Sequence, residues 1–196
     1  MRPPAEAAFV AGAATLARLP APGLPEVAFA GRSNVGKSSL LNRLVNRRAL
    51  ARVSKTPGRT QQINFFAVGG RLQLVDLPGY GFARVPLTVK AAWRGLVEGY
   101  LTAPRPLRGV FVLVDVRRGV EADDAQLVDF LTANALPVQL VATKLDKLTR
   151  GVRAAALARI AAASGGAPIG FSAPHGDGTA DLWRVIEDWV EESETA

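Results

Sequence analysis

Apolar and polar positions along this chain switch between two periods. A buried-strand run at residues 27–30 leads into a glycine-rich loop, and residues 37–47 then place Leu40, Leu41, Leu44 and Val45 at helical spacing. Residues 64–68 and 71–76 flank Gly69-Gly70, a two-residue hairpin signal. Beyond the hairpin, strand-like runs at 110–115, 138–143 and 169–171 alternate with helical patterns at 123–133, 150–163 and 179–190. Such alternation predicts an α/β fold, a mostly parallel six-stranded sheet with one antiparallel edge strand and helices on both faces. Residues 1–25 are rich in Ala and Pro and read as an N-terminal arm with one short helix around 8–19, ahead of a single domain at 26–193. No internal repeat or heptad run interrupts this order.

Composition narrows the chemistry. The 196 residues contain no cysteine and one histidine, which excludes disulfides, thiolate metal sites, a cysteine nucleophile and imidazole clusters. Catalysis must use carboxylates, hydroxyls, backbone amides and cations. No stretch approaches the roughly 20 apolar residues needed to span a bilayer, and the alanine-rich run at 7–16 follows Glu6, unlike a signal peptide. The expectation is a cytoplasmic protein.

The net charge of +7 is unevenly distributed. Residues 27–75 hold no acid, while Arg32, Lys37, Arg43, Arg47, Arg48, Arg52, Lys55, Arg59 and Arg71 are all cationic. Residues 121–196 carry 12 acids against 6 bases. A basic front of this kind suits a polyanionic partner such as RNA.

Five segments carry candidate chemistry. Gly31, Arg32, Ser33, Asn34, Val35, Gly36, Lys37 and Ser38 fit the phosphate-loop pattern GxxxxGK[ST], in which glycines let successive N–H groups face phosphate oxygens. Lys37 would add charge at the β and γ phosphates, Ser38 a hydroxyl for Mg²⁺, and the following helix its dipole. Asp76, Leu77, Pro78 and Gly79 follow a strand, so Asp76 can hold the magnesium's water shell and the Gly79 N–H can face the γ phosphate. Thr143, Lys144, Leu145 and Asp146 end another strand. One carboxylate there accepts both adjacent donors of guanine but repels the unprotonated ring nitrogen of adenine, and the stem of Lys144 can lie along the purine. Phe171, Ser172 and Ala173 end the last strand, where a backbone N–H could meet the guanine keto oxygen. Between the first helix and the hairpin, Thr60 is the candidate hydroxyl for sensing Mg²⁺ in the triphosphate state, with Thr56 as the alternative. A phosphate-loop kinase or ATPase is disfavoured by Asp146.

The runs GRSNVGKSSLLN, KTPGRTQ, DLPGYGFA and TKLD, in this order, make the chain similar to the EngB (YihA/YsxC) family of bacterial GTPases in the Ras-like translation-factor class. The resemblance implies a Ras-like P-loop NTPase fold, GTP/GDP and Mg²⁺ binding, a monomer, and a role in assembling the large ribosomal subunit through ribosomal RNA, with a requirement for normal septation in cell division. A protein-binding switch in division, with an incidental basic face, is the rival reading. Carried over by position, the nucleotide residues are Gly31 to Ser38 with Ser39, then Gly58, Arg59, Thr60, Gln61 and Gln62, then Asp76 to Gly79, Thr143 to Asp146 and Phe171 to Ala173. Ser38, Thr60 and Asp76 fall at the magnesium, and Lys37, Asn34, Thr60 and Gly79 at the reacting phosphate. Tyr80 stands where well-hydrolysing relatives carry Gln, which implies slow intrinsic turnover. Asn34 resembles the residue that in some relatives helps hold K⁺ against the phosphates; bracing of the loop by its own side chain is the alternative.

Overall fold

The computed structural model describes residues 6–47, 50, 62–81 and 87–191. In chain order the elements are β1 (Ala7–Ala13), β2 (Glu26–Gly31), α1 (Lys37–Leu44), β3 (Ile63–Val68), β4 (Leu72–Asp76), α2 (Leu87–Leu101), β5 (Leu107–Asp115), α3 (Ala122–Ala133), β6 (Val138–Thr143), α4 (Arg150–Ser164), β7 (Ile169–Gly170) and α5 (Thr179–Glu191). They build one seven-stranded sheet in the order β1-β3-β4-β2-β5-β6-β7. β2 pairs in parallel with β4 and β5, and β5, β6 and β7 continue in parallel. Only β3 runs against its neighbours, pairing antiparallel with both β4 and β1.

Two expectations about the N-terminal half are corrected. The sheet has seven strands rather than six, because residues 7–13 form a strand where the sequence pattern predicts a helix over 8–19; only Leu16–Arg18 is helical, as a single 3-10 turn. The free edge of β3 overrides the alanines' helical preference: β1 pairs along it from Ala7 opposite Val68 to Ala13 opposite Ile63, and Phe9 lies edge-on to Phe66 at 5.8 Å. The antiparallel strand is therefore covered and β1 takes the edge. The second omission is α2, a helix that the apolar pattern does not single out.

Central strands are buried on both faces, which is why they read as continuous apolar runs. Val27 and Phe29 of β2 face α1 and α5 with Leu40, Leu44, Leu182 and Ile186, while Ala28 and Ala30 face α2 and α3 with Leu96, Tyr100 and Leu131. α4 covers the second face further along, through Ile160 against Val114 and Ala142. Phe29 stacks on Phe111 at 5.1 Å, and Phe111 meets Trp189 of α5 at 4.9 Å. Gly109 permits that packing, since a Cβ there would lie 2.5 Å from the Trp189 ring.

The end of the sheet remote from the strands' carboxyl termini is held by a buried ionic cluster. Glu26, fully buried, accepts from Arg105 Nη2 at 2.5 Å and Nε at 3.0 Å and from the Tyr100 hydroxyl at 2.8 Å, and Arg105 also donates to the Pro20 carbonyl at 2.8 Å. The cluster thus ties the N-terminal segment to the domain floor. Tyr100→Phe removes one charge-assisted hydrogen bond while keeping the ring, and is expected to lower stability by about 1.5–3 kcal/mol. Urea denaturation reads this directly; an unchanged midpoint would mean that Arg105 alone satisfies Glu26.

Candidate functional site

The described motif segments at 31–38, 76–79, 143–146 and 171–173 meet at the carboxyl ends of the parallel strands. Gly31 closes β2 and starts the phosphate loop. It must be small: a Cβ would lie 2.9 Å from Val35 Cγ1 and 3.0 Å from the Leu113 carbonyl. Asn34 (φ 63°) and Gly36 (φ 108°) take left-handed conformations that curl the loop back to α1, where the Leu40 N–H donates to the Gly36 carbonyl at 2.9 Å. Lys37 and Ser38 open α1, with Ser39 exposed behind them. Lys37 Nζ forms an ion pair with Asp76 Oδ1. The cation of the loop and the carboxylate at the end of β4 therefore share one locus.

The turn after β4 is fastened to that loop. The Leu77 N–H donates to the Phe29 carbonyl at 3.0 Å, the Ser33 N–H to the Tyr80 carbonyl at 2.9 Å, and the Tyr80 N–H to the Gly31 carbonyl at 3.3 Å. Pro78 is buried and Gly79 half-buried between these bonds, and a Cβ on Gly79 would lie 3.4 Å from the Ser33 backbone.

The turn after β6 is tied to the same loop from the other side. Buried Thr143 donates its hydroxyl to the Val35 carbonyl at 2.7 Å and lies 3.1 Å from the Val114 carbonyl. Lys144, with φ 61°, donates from Nζ to the Asn34 carbonyl at 2.6 Å and pairs with Asp115 at 3.1 Å. Leu145 is buried, and its N–H donates to the Phe171 carbonyl at 3.0 Å. Asp146 accepts from the Ser172 hydroxyl at 3.2 Å and pairs with Lys147 at 3.3 Å. Desolvation pushes its carboxyl up, but the Lys147 ammonium, its own backbone N–H and Ser172 outweigh this, so Asp146 stays ionised.

Among the three residues after β7, only one offers a free amide. The Phe171 N–H donates to the Ala142 carbonyl at 2.8 Å and the Ser172 N–H to the Asp177 carbonyl at 3.2 Å, which leaves Ala173 as the N–H without a partner among the described residues. Gln62 goes elsewhere: its amide bonds Asn64 at 3.0 Å and lies against Gly12 of β1. Gly58, Arg59, Thr60 and Gln61, with Thr56, lie outside the described residues. So do Arg48, Arg52 and Lys55 of the basic stretch. Of its described members, Arg43 donates to the His175 carbonyl at 3.4 Å, Arg71 pairs with Glu187 at 3.4 Å, and Arg47 is exposed.

Several site residues escape a reading of the sequence. Asp115 ends β5 beside Lys144 and is held by Arg117 at 2.6 Å; burial raises its pKa, and the Arg117 and Lys144 bonds overcome this to hold it far below the usual carboxylate range. Its place at the end of a parallel strand is the available signal. Glu121 and Asp124, at the start of α3, reach the phosphate loop and the following turn through Arg32 and Tyr80. Burial pushes the Asp124 carboxyl up, against the Glu121 N–H, the Tyr80 hydroxyl and the Arg32 charge. Burial and then the Asp124 charge push the Tyr80 phenol up as well. A cleft of about 210 Å³ lies between these groups and the loop, lined by Arg32, Asn34, Asp115, Arg118, Glu121 and Lys144.

These residues suit a magnesium nucleotide. Asp76 is a nearly buried carboxylate facing the first turn of α1, Ser38 brings a hydroxyl to that turn, and the hard oxygen pair fits Mg²⁺ rather than a softer metal.

Comparison with known proteins agrees with this geometry. The family model described as 50S ribosome-binding GTPase matches residues 26–144. A probable GTP-binding protein EngB of Geotalea daltonii is 49% identical over 192 residues, covering 96% of this chain and 92% of the relative. One of Pelotomaculum thermopropionicum is 48% identical over 188 residues, covering 94% and 95%. Among solved structures, the crystal structure of a probable GTP-binding protein engB superposes with a TM-score of 0.70 at 25% identity, over 85% of this chain and 99% of that one.

Proposed function

The chain belongs to the EngB family of GTP-binding proteins, and from that premise we propose that its GTPase cycle drives a conformational switch in assembly of the large ribosomal subunit, with disturbed septation following from its loss. It is a GTPase with the Ras-like fold. The observation that carries the residue assignment is the double tie between the β6 turn and the phosphate loop, Thr143 to Val35 and Lys144 to Asn34, which fixes the base-reading carboxylate relative to the phosphate cradle.

In this reading the N–H groups of Asn34, Gly36, Lys37 and Ser38 and the Lys37 ammonium bind the β and γ phosphates, with the Ser39 N–H next along the helix start, while the Ser33 and Val35 N–H groups brace the loop on the Tyr80 and Arg32 carbonyls. Asp146 reads guanine, Lys144 lies along it, and the Ala173 N–H meets its keto oxygen. Ser38, Thr60 and Asp76 would hold Mg²⁺, which would supply positive charge against the phosphates. Lys37 leaves Asp76 for the phosphates when nucleotide binds. The Gly79 N–H then faces the γ phosphate, so its presence or loss is felt by the turn that follows. The unit proposed to do this is the domain at residues 26–193, whose sheet β1 of the N-terminal arm extends at its edge, working in the cytoplasm as a monomer; among the described residues no helix is long and apolar enough to cross a membrane.

The ribosomal part of the proposal rests on the description of the matching family and on the acid-free stretch at 27–75. GTP-dependent co-sedimentation with large-subunit precursors tests it, and equal co-sedimentation with GDP and GTP would leave a protein-binding switch in division as the better reading. Neutralising Arg47, Arg48 and Arg52 together is expected to lower the salt slope of RNA binding by about 0.7–0.9 for each phosphate that these side chains no longer neutralise. An unchanged slope and affinity would make the stretch a solvated face.

A further inference from the structure

Tyr80 follows Gly79, the residue read above as the γ-phosphate contact, and its side chain points away from the phosphate loop toward α3. Its hydroxyl donates to Asp124 Oδ1 at 2.8 Å. The other oxygen of the same carboxylate accepts the Glu121 N–H at 2.9 Å and so caps α3. A capping carboxylate is ordinarily solvated, yet Asp124 is 1% exposed. Helix capping alone gives no reason for that burial, because an exposed carboxylate at the same position caps equally well.

A second strut runs beside the first. Arg32 of the phosphate loop pairs with Glu121, which Arg118 also holds at 2.7 Å. The Arg32 side chain crosses directly over Gly81, whose φ is 77° and where a Cβ would lie 2.8 Å from Arg32 Nε. Position 81 thus leaves the space the strut needs. Together with the backbone bonds joining Ser33, Tyr80 and Gly31, these contacts fix both sides of the Gly79–Tyr80 turn to one rigid element, the first turn of α3.

We infer that Asp124 is a positioning residue for GTP hydrolysis: through the Tyr80 hydroxyl, α3 holds the Gly79–Tyr80 turn against the phosphate loop. The inference rests on the assignment of Gly79 given under the proposed function. Tyr80 is accordingly an anchor. Its hydroxyl is committed to Asp124 and does not orient the attacking water. A partner that moves the start of α3 moves the turn with it, which gives this surface control over turnover without contact with the nucleotide.

Single-turnover GTP hydrolysis and GDP affinity, measured on Tyr80→Phe, Asp124→Ala and the double variant of the full chain, test this. Tyr80→Phe keeps the ring and its packing, so folding is preserved. The expected result is a roughly tenfold slower hydrolysis in each single variant, corresponding to one charge-assisted hydrogen bond. The double variant should be no slower than Asp124→Ala, and GDP affinity should stay within about twofold of the starting protein. Wild-type turnover in Tyr80→Phe, multiplying effects in the double variant, or a parallel loss of GDP affinity would each overturn the inference. Gly79→Ala, whose added methyl meets only ordinary contact at 3.4 Å, separates the two levels. If it hydrolyses GTP normally, the γ-phosphate assignment itself fails; if it is impaired while Tyr80→Phe is not, only the role of Asp124 fails.

Discussion

Asp146→Asn is expected to weaken GTP binding by roughly 30-fold to several thousand-fold while raising affinity for xanthosine triphosphate. In the proposed base site the carboxylate accepts two guanine donors at once, and losing two charge-assisted bonds costs about 2–5 kcal/mol. The amide nitrogen of Asn can instead donate to the oxygen that xanthine carries in place of guanine's amine. The structure supports a clean exchange at this position. Asp146 is anchored by the Ser172 hydroxyl at 3.2 Å, and an Asn Oδ1 accepts that same bond, so the side chain keeps its orientation. Lys147 loses an ion pair at 3.3 Å, but it is 60% exposed and that loss matters little. Titration with fluorescent GTP and xanthosine triphosphate measures both arms; unchanged GTP affinity would remove Asp146 from the base site.

The contrast between Asp146 and Asp124 shows what the sequence makes legible. The phosphate loop, Asp76 and Asp146 each sit inside a contiguous motif at the end of a strand, so local spacing carries both identity and location. Asp124 gains its role from Tyr80, 44 positions away, and Glu121 from Arg32, 89 positions away. No local pattern encodes such pairings. The fold divides along similar lines. The strands of the parallel sheet announce themselves because burial on both faces demands unbroken apolar runs. β1 is obscured because alanine favours helices in isolation and its strand state depends on the distant edge of β3. α2 is obscured by its glycines, which weaken a helix locally. Gly99 is there for tertiary reasons, since a Cβ would lie 2.5 Å from Leu16 Cδ1 of the N-terminal segment.

With Tyr80 at the position where Gln orients water in other Ras-like enzymes, and with its hydroxyl committed to Asp124, intrinsic turnover should be slow unless positive charge is supplied at the phosphates. Asn34 offers a means. Its backbone is fixed by a φ of 63° and by the bond from Lys144 Nζ to its carbonyl at 2.6 Å, while its side chain is exposed. Among the described residues nothing bonds that side-chain amide, so the alternative in which it braces the loop has no contact to support it. An amide oxygen held at this point is a suitable ligand for a monovalent cation, and K⁺ bound there would add charge beside the β and γ phosphates. The expected result is stimulation of GTP hydrolysis by roughly 10- to 100-fold in KCl over NaCl of the same ionic strength. Asn34→Ala should abolish the difference between the salts while GTP still binds, because the phosphate loop's N–H groups and Lys37 remain. Sodium fails in this scheme because the smaller ion draws the loop oxygen and the phosphates into a tighter shell than the fixed Asn34 backbone allows. Equal turnover in the two salts would end the idea, and the compensating charge would then have to be brought by a partner, in the proposed function the ribosomal particle.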